Sequence, residues 1–148
     1  MSTLAAAEQL YDALYQWKKL GSLEITETSL PFFKDLVSSA AAGKYPSSSE
    51  TYTTITAAVK KYADGFMAVV KDHTPSDGSL SEQFTRDKGT PASAKDLTWS
   101  YAALLSATSR EAGTVPPTWG ASAANKVPSK CEGTSAKGSY TTPSVGSW

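Results

Sequence analysis

Apolar side chains recur at three- and four-residue intervals in four stretches of this chain, with Gly, Pro and Ser as punctuation between them. Leu4, Ala7, Leu10, Tyr11, Leu14, Tyr15 and Trp17 predict a helix capped by Ser2 or Thr3, running to about Leu20 with Gly21 as its stop. Ser29 ahead of Leu30-Pro31-Phe32-Phe33 puts Pro31 near a first helical position and predicts a short, peripheral helix ended by Gly43. Ser48 or Ser49 opens the third and longest helix. There Tyr52, Ile55, Val59, Tyr62, Phe66, Val69 and Val70 form a stripe opposite Lys60, Lys61, Asp64 and Lys71, the pattern of a helix on the outside of a bundle. A fourth helix is expected from Ser93 to Gly113, with Ser93 as cap and Asp96 as its acidic partner near the positive end of the dipole. Ala102, Ala103, Leu104, Leu105 and Ala107 make it apolar on most sides, as in an interior helix. No strand alternation holds over a useful length and no repeat recurs at a fixed period, so the expected class is all-α.

After Gly113 the periodicity vanishes. Val115-Pro116-Pro117-Thr118-Trp119-Gly120 leads into a stretch of Ser, Thr, Ala and Gly ending at Trp148, where Trp119 and Cys131 predict a tail that packs on something. The expected organisation is therefore a helical portion over residues 1–113 and an irregular tail over residues 114–148. At 148 residues the length suits one domain. Lys plus Arg and Asp plus Glu each number 14, so the chain lacks the basic field that nucleic acid or an anionic membrane requires. No apolar run approaches a membrane span, and no signal peptide is visible at Met1-Ser2-Thr3. One Cys and one His build no metal-ligand spacing, and no cofactor is expected. Cys131 reads either as a buried small hydrophobe or as half of a bridge with its partner elsewhere.

The candidate chemistry sits in the connection between the third and fourth helices, about 20 residues long and so more often functional than incidental. Asp77-Gly78-Ser79-Leu80-Ser81-Glu82-Gln83-Phe84 holds an acid, an amide and an aromatic in a row. From these residues alone, Glu82 reads first as a solvated loop charge and only second as a catalytic carboxylate.

Three blocks change that balance. Thr3-Leu4-Ala5-Ala6-Ala7-Glu8-Gln9-Leu10-Tyr11-Asp12-Ala13, Gly78 to Phe84, and Asp96 to Leu105 closely resemble fungal glucoamylases of glycoside hydrolase family 15. Val115-Pro116, Thr118-Trp119-Gly120 and Val127-Pro128 ahead of Cys131 are similar to the segment closing the same catalytic domain. The resemblance implies an α/α barrel of six inner and six outer helices, of which this chain would be the last third, a partial toroid. The first and fourth helices would be inner staves and the third an outer one. It further implies a secreted parent that removes glucose from non-reducing ends of starch and maltooligosaccharides with inversion. Inversion needs one carboxyl group to protonate the leaving oxygen and a second to activate water on the opposite face.

Within that resemblance Glu82 matches the general base, which must be ionised to work. Gln83 matches a position suited to orienting sugar hydroxyls or water, although its amide could equally satisfy loop backbone. Ser93 matches a serine that hydrogen-bonds the base, against the local reading of an N-cap. Trp99 matches an active-site tryptophan whose indole face stacks on a pyranose, against plain core packing. Trp17, Tyr11, Tyr62 and Phe66 lie on helical stripes and read as core, and His73 as a dipole-favoured cation at a helix end, without catalytic role. Nothing here matches the family's general acid or its glucose-gripping aromatic and arginine residues. Cys131 matches a cysteine whose bridge partner lies outside this chain. Two function classes follow: part of a glucoamylase that needs the rest of the barrel to act, or a non-catalytic helical remnant serving as a carbohydrate-binding or structural piece.

Overall fold

The computed structural model describes residues 1–114, and the expected tail with Trp119 and Cys131 lies outside them. Four helices carry the architecture: α1 (Ser2–Leu20), α2 (Leu30–Leu36), α3 (Glu50–Asp72) and α4 (Thr98–Glu111). Two small antiparallel pairs join them, β1 (Ser22–Ile25) with β2 (Gly43–Pro46) and β3 (Gln83–Phe84) with β4 (Pro91–Ala92).

Helix α1 packs against both α3 and α4 and is the middle member of the three. Ala7 and Ala63 are fully buried where α1 meets α3, so two methyl groups let the backbones approach, and Tyr11 closes the seam. The Tyr11 hydroxyl donates to Asp64 Oδ1 at 2.8 Å, and Lys60 donates to both Asp64 oxygens at 2.8 Å. Burial and the Asp64 bond push the Tyr11 phenol well above its usual range. At the other end, Leu23 and Ile25 of β1, Phe33 of α2, and Ile55 and Val59 of α3 form the main core, with Trp17 and Leu14 packed against it. The register Leu23 to Tyr45 and Ile25 to Gly43 turns both β1 side chains inward.

Several expectations need correction. Neither Ser2 nor Thr3 caps α1; both lie within the helix, whose cap is Met1 without a side-chain bond. Gly21, at φ 66°, does stop it, in the left-handed conformation that favours glycine. Helix α2 starts with Pro31 in its first turn but ends at Leu36, because the chain turns extended at Val37 and reserves Gly43–Pro46 for β2. Nor is α2 merely peripheral, since Phe33 is core. In α3 Ser49 accepts from the Tyr52 N–H as cap, but the buried stripe runs through Ile55, Val59 and Ala63, leaving Tyr62 and Val69 exposed.

Helix α4 departs furthest. It begins at Thr98, not Ser93, and its cap residue Leu97 has no capping side chain. Ser93 and Asp96 sit at φ 64° and 53°, in the left-handed region and ahead of the cap, so neither serves as the helix's first turn. Only Ser100 and Ala107 are buried along α4, and Leu105 is 70% exposed, so among the described residues α4 buries one side and leaves the other uncovered.

Candidate active site

The connection from α3 to α4 is a zipped hairpin. Thr85 N–H donates to Thr90 C=O at 2.8 Å, Phe84 opposes Pro91, Gln83 opposes Ala92, and Leu97 N–H closes the neck on Leu80 C=O at 3.1 Å. Between these ties the register changes. Glu82 N–H donates to Ala94 C=O at 2.8 Å, so moving one residue from Gln83 to Glu82 matches moving two from Ala92 to Ala94. Ser93 is the extra residue, a bulge in the left-handed conformation. A bulge re-aims the side chain it carries. Here the Ser93 hydroxyl donates to Glu82 Oε2.

Three polar groups of the α4 entry hold the outgoing arm. Leu97 N–H bonds Leu80 C=O, the buried Ser100 hydroxyl donates to Ser81 C=O at 3.0 Å, and Leu80 N–H donates to the Tyr101 oxygen at 3.1 Å. The Tyr101 hydroxyl in turn donates to Asp96 Oδ1 at 2.6 Å, and that bond raises its phenol above the ordinary value. Upstream, Asp77 Oδ1 accepts the Ser79 N–H at 3.0 Å, an Asx turn. The Ser79 backbone donor holds the Asp77 carboxyl below the usual carboxylate range. On the paired part of the hairpin the His73 ring, from the end of α3, packs on Phe84 with centroids 4.6 Å apart. A Cβ on Gly89 would stand 2.2 Å from His73 Cε1, so glycine is required where the hairpin meets this ring.

Glu82 is half-buried and lines a cleft with Met1, Thr3, His73, Gln83 and Phe84. The Met1 amino group donates to the Glu82 carbonyl at 3.2 Å. Ser93 engages Oε2, and among the described residues no protein hydrogen bond reaches Oε1. A carboxylate held on one oxygen and open on the other can take a proton from water. Gln83 lies beside Glu82 at the same cleft with its side chain exposed. Trp99 is 68% exposed on the first turn of α4 and is not among the residues that line the two clefts at Glu82. Cys131 lies outside the described residues.

Sequence reasoning missed the bulge, Ser100, Tyr101, Gly89 and the packing of His73. Of these only Gly89 carried a local signal, a glycine between Lys88 and Thr90 in a turn-rich stretch.

Residues 1–109 match the family described as Glycosyl hydrolases family 15. The chain belongs to this family. A glucoamylase of Neurospora crassa is 59% identical over all 148 residues, and glucoamylase-1 of Arthroderma benhamiae 49%. This family 15 chain spans 24% of the length of each of those two relatives. Among solved structures, the glycoside hydrolase family 15 glucoamylase from Hypocrea jecorina superposes with a TM-score of 0.77 at 57% identity, over 94% of this chain and 23% of that one. The Hormoconis resinae glucoamylase superposes at 0.75 with 48% identity, over 87% of this chain and 22% of that one. These structures are α/α barrels, and the family 15 chain is a partial piece of such a barrel, helical with two small strand pairs added.

Proposed function

We propose that this chain supplies the general base of an inverting glycoside hydrolase that releases glucose from non-reducing ends of starch and maltooligosaccharides. Glu82 is the base, and Gln83 borders the water and sugar hydroxyls it serves. The observation that carries the reading is the Ser93 hydroxyl on Glu82 Oε2, which fixes one carboxylate oxygen and leaves Oε1 open. Glu82 would draw a proton from water as that water attacks the anomeric carbon, while an acid from another part of the barrel protonates the departing oxygen. Trp99, exposed on α4, offers an indole face on which a pyranose of the substrate can stack. The parent would be a secreted enzyme, and its remaining barrel would be the partner of the described helices.

The experiment is a graft of residues 1–148 into the Neurospora crassa glucoamylase in place of its matching region, followed by glucose release with detection of the anomer. The expected product is β-glucose, and Glu82→Gln should lower turnover by a factor of about 100 to 10,000 while leaving substrate binding in place. Full activity of the Glu82→Gln graft would remove the assignment. An inactive graft that still binds maltooligosaccharide would favour the non-catalytic carbohydrate-binding reading.

A further inference from the structure

We infer that Tyr101 is a positioning residue for Glu82, tying the two arms of the hairpin together at their base through one hydroxyl. The inference rests on the reading of Glu82 as general base. The Tyr101 oxygen accepts the N–H of Leu80, two residues ahead of Glu82 on the outgoing arm, at 3.1 Å. It donates to Asp96, three residues beyond Ser93 on the returning arm, at 2.6 Å. Glu82 and Ser93 face each other across that same neck. One phenol therefore adds a side-chain brace, beside the backbone bonds of Glu82 to Ala94 and Leu97 to Leu80, between the arm that carries the carboxylate and the arm that carries its hydroxyl donor.

The groups involved have few substitutes. Leu80 is 7% exposed, so its N–H has little access to water if the tyrosine oxygen is removed. Asp96 holds a left-handed backbone angle, φ 53°, that the Tyr101 bond helps to maintain. Without Tyr101 the two arms stay joined by the backbone bonds from Leu97 to Leu80 and from Glu82 to Ala94, and Ser100 still holds Ser81, but the Asp96 carboxylate loses its hydrogen-bond donor. Loss of the hydroxyl would thus free the Leu80 N–H and the Asp96 carboxylate at the base of the arms, allowing small shifts of Glu82 against Ser93 while the backbone ties keep the fold standing. A misplacement of about 1 Å in a catalytic group costs on the order of 100-fold in rate.

The test uses the same Neurospora crassa graft. Tyr101→Phe should lower kcat by about 10- to 100-fold and leave KM within about twofold, because substrate contacts are untouched. Its loss should overlap with that of Ser93→Ala in the double variant, since both act on one carboxylate position. Asp96→Asn, which keeps an acceptor, should retain most of kcat, whereas Asp96→Ala should fall with Tyr101→Phe. Tyr101→Phe that lowers Tm but keeps kcat would overturn the inference, as would losses that multiply independently with Ser93→Ala. If Tyr101→Phe fails to fold, Asp96→Ala decides in its place by the same criteria. A graft inactivated by Glu82→Gln yet indifferent to Tyr101→Phe sinks the positioning role alone; one indifferent to Glu82→Gln sinks both.

Discussion

Ser93 stands one residue out of register with Glu82, and the bulge this creates delivers its hydroxyl onto the carboxylate. A regular ladder would set residues 82 and 93 opposite each other with their side chains side by side. The extra residue instead bends the returning arm, and the left-handed angle of 64° turns the hydroxyl across the gap. Two consequences of Ser93 can be separated, its backbone strain and its hydrogen bond.

Ser93→Ala keeps the strained angle and loses the donor, whereas Ser93→Gly relieves the angle and also loses the donor. Thermal unfolding should rank the glycine variant above the alanine variant by about 1 kcal/mol, the cost of a left-handed angle for a residue with a Cβ. Both should show lowered kcat in the grafted enzyme. An alanine variant as stable as the glycine variant would contradict the strain at this position.

Gly89→Ala would set a methyl group 2.2 Å from His73 Cε1 at a backbone angle of 65°. The two penalties together should destabilise the protein by about 2 kcal/mol or more. His73→Ala in the same background should restore part of the loss by making room. Urea unfolding of the two single variants and the double variant checks this, and a strictly additive result would show that the ring is not what the glycine accommodates.

Asp64 gives a pH dependence of definite sign. Its burial favours the neutral form, but the hydrogen bonds from Lys60 and Tyr11 outweigh it and hold the carboxyl below its ordinary value of 3.8. A depressed folded value means that Asp64 contributes its full stabilisation above the unfolded value and loses it as pH falls through the folded one. The Tm gap between the native sequence and Asp64→Asn should therefore be constant above about pH 5 and close below about pH 4. A gap that widens in acid would reverse the assignment.

Leu23 is fully buried in the main core, in one cluster with Phe33, Ile55 and Val59. Leu23→Ala should cost about 2 to 5 kcal/mol in chemical unfolding. A cost below 1 kcal/mol would mean that the β1–β2 pair is not fixed to the helices.

The 148-residue chain by itself should release negligible glucose from maltooligosaccharides, since no residue in it matches the general acid. Acid and base contribute factors of about 100 to 10,000 each. Glucose release at the rate of the grafted enzyme would overturn this division of labour.

The helices were legible wherever apolar spacing and a stop signal coincided. Gly21 ends α1 and Ser49 caps α3 as their neighbours in sequence foretold. The strands were not, because β1 offers only Leu23 and Ile25 as inward positions and pairs with β2 across the whole of α2, without a turn between them. The α4 entry misled for a chemical reason. Ser93 and Asp96 are the residue types of a capping box, but their side chains are spent on Glu82 and Tyr101, a competition that spacing alone cannot show. The resemblance singled out Glu82 and Ser93 as a pair, and the structure joins them. What lay beyond reach was the partnership of Tyr101 with Leu80, 21 residues apart.

The hairpin is fastened at its neck and again at its waist, yet Arg86, Asp87 and Lys88 at its tip are exposed. Anything that happens to the length of that tip is insulated from Glu82 by the rungs at Thr85–Thr90 and Phe84–Pro91. Doubling such a loop costs only about 0.6 kcal/mol in closure entropy. Residues 86–88 are thus the natural place for length variation or an inserted reporter, a freedom denied to Ser93, whose hydroxyl is committed to Glu82.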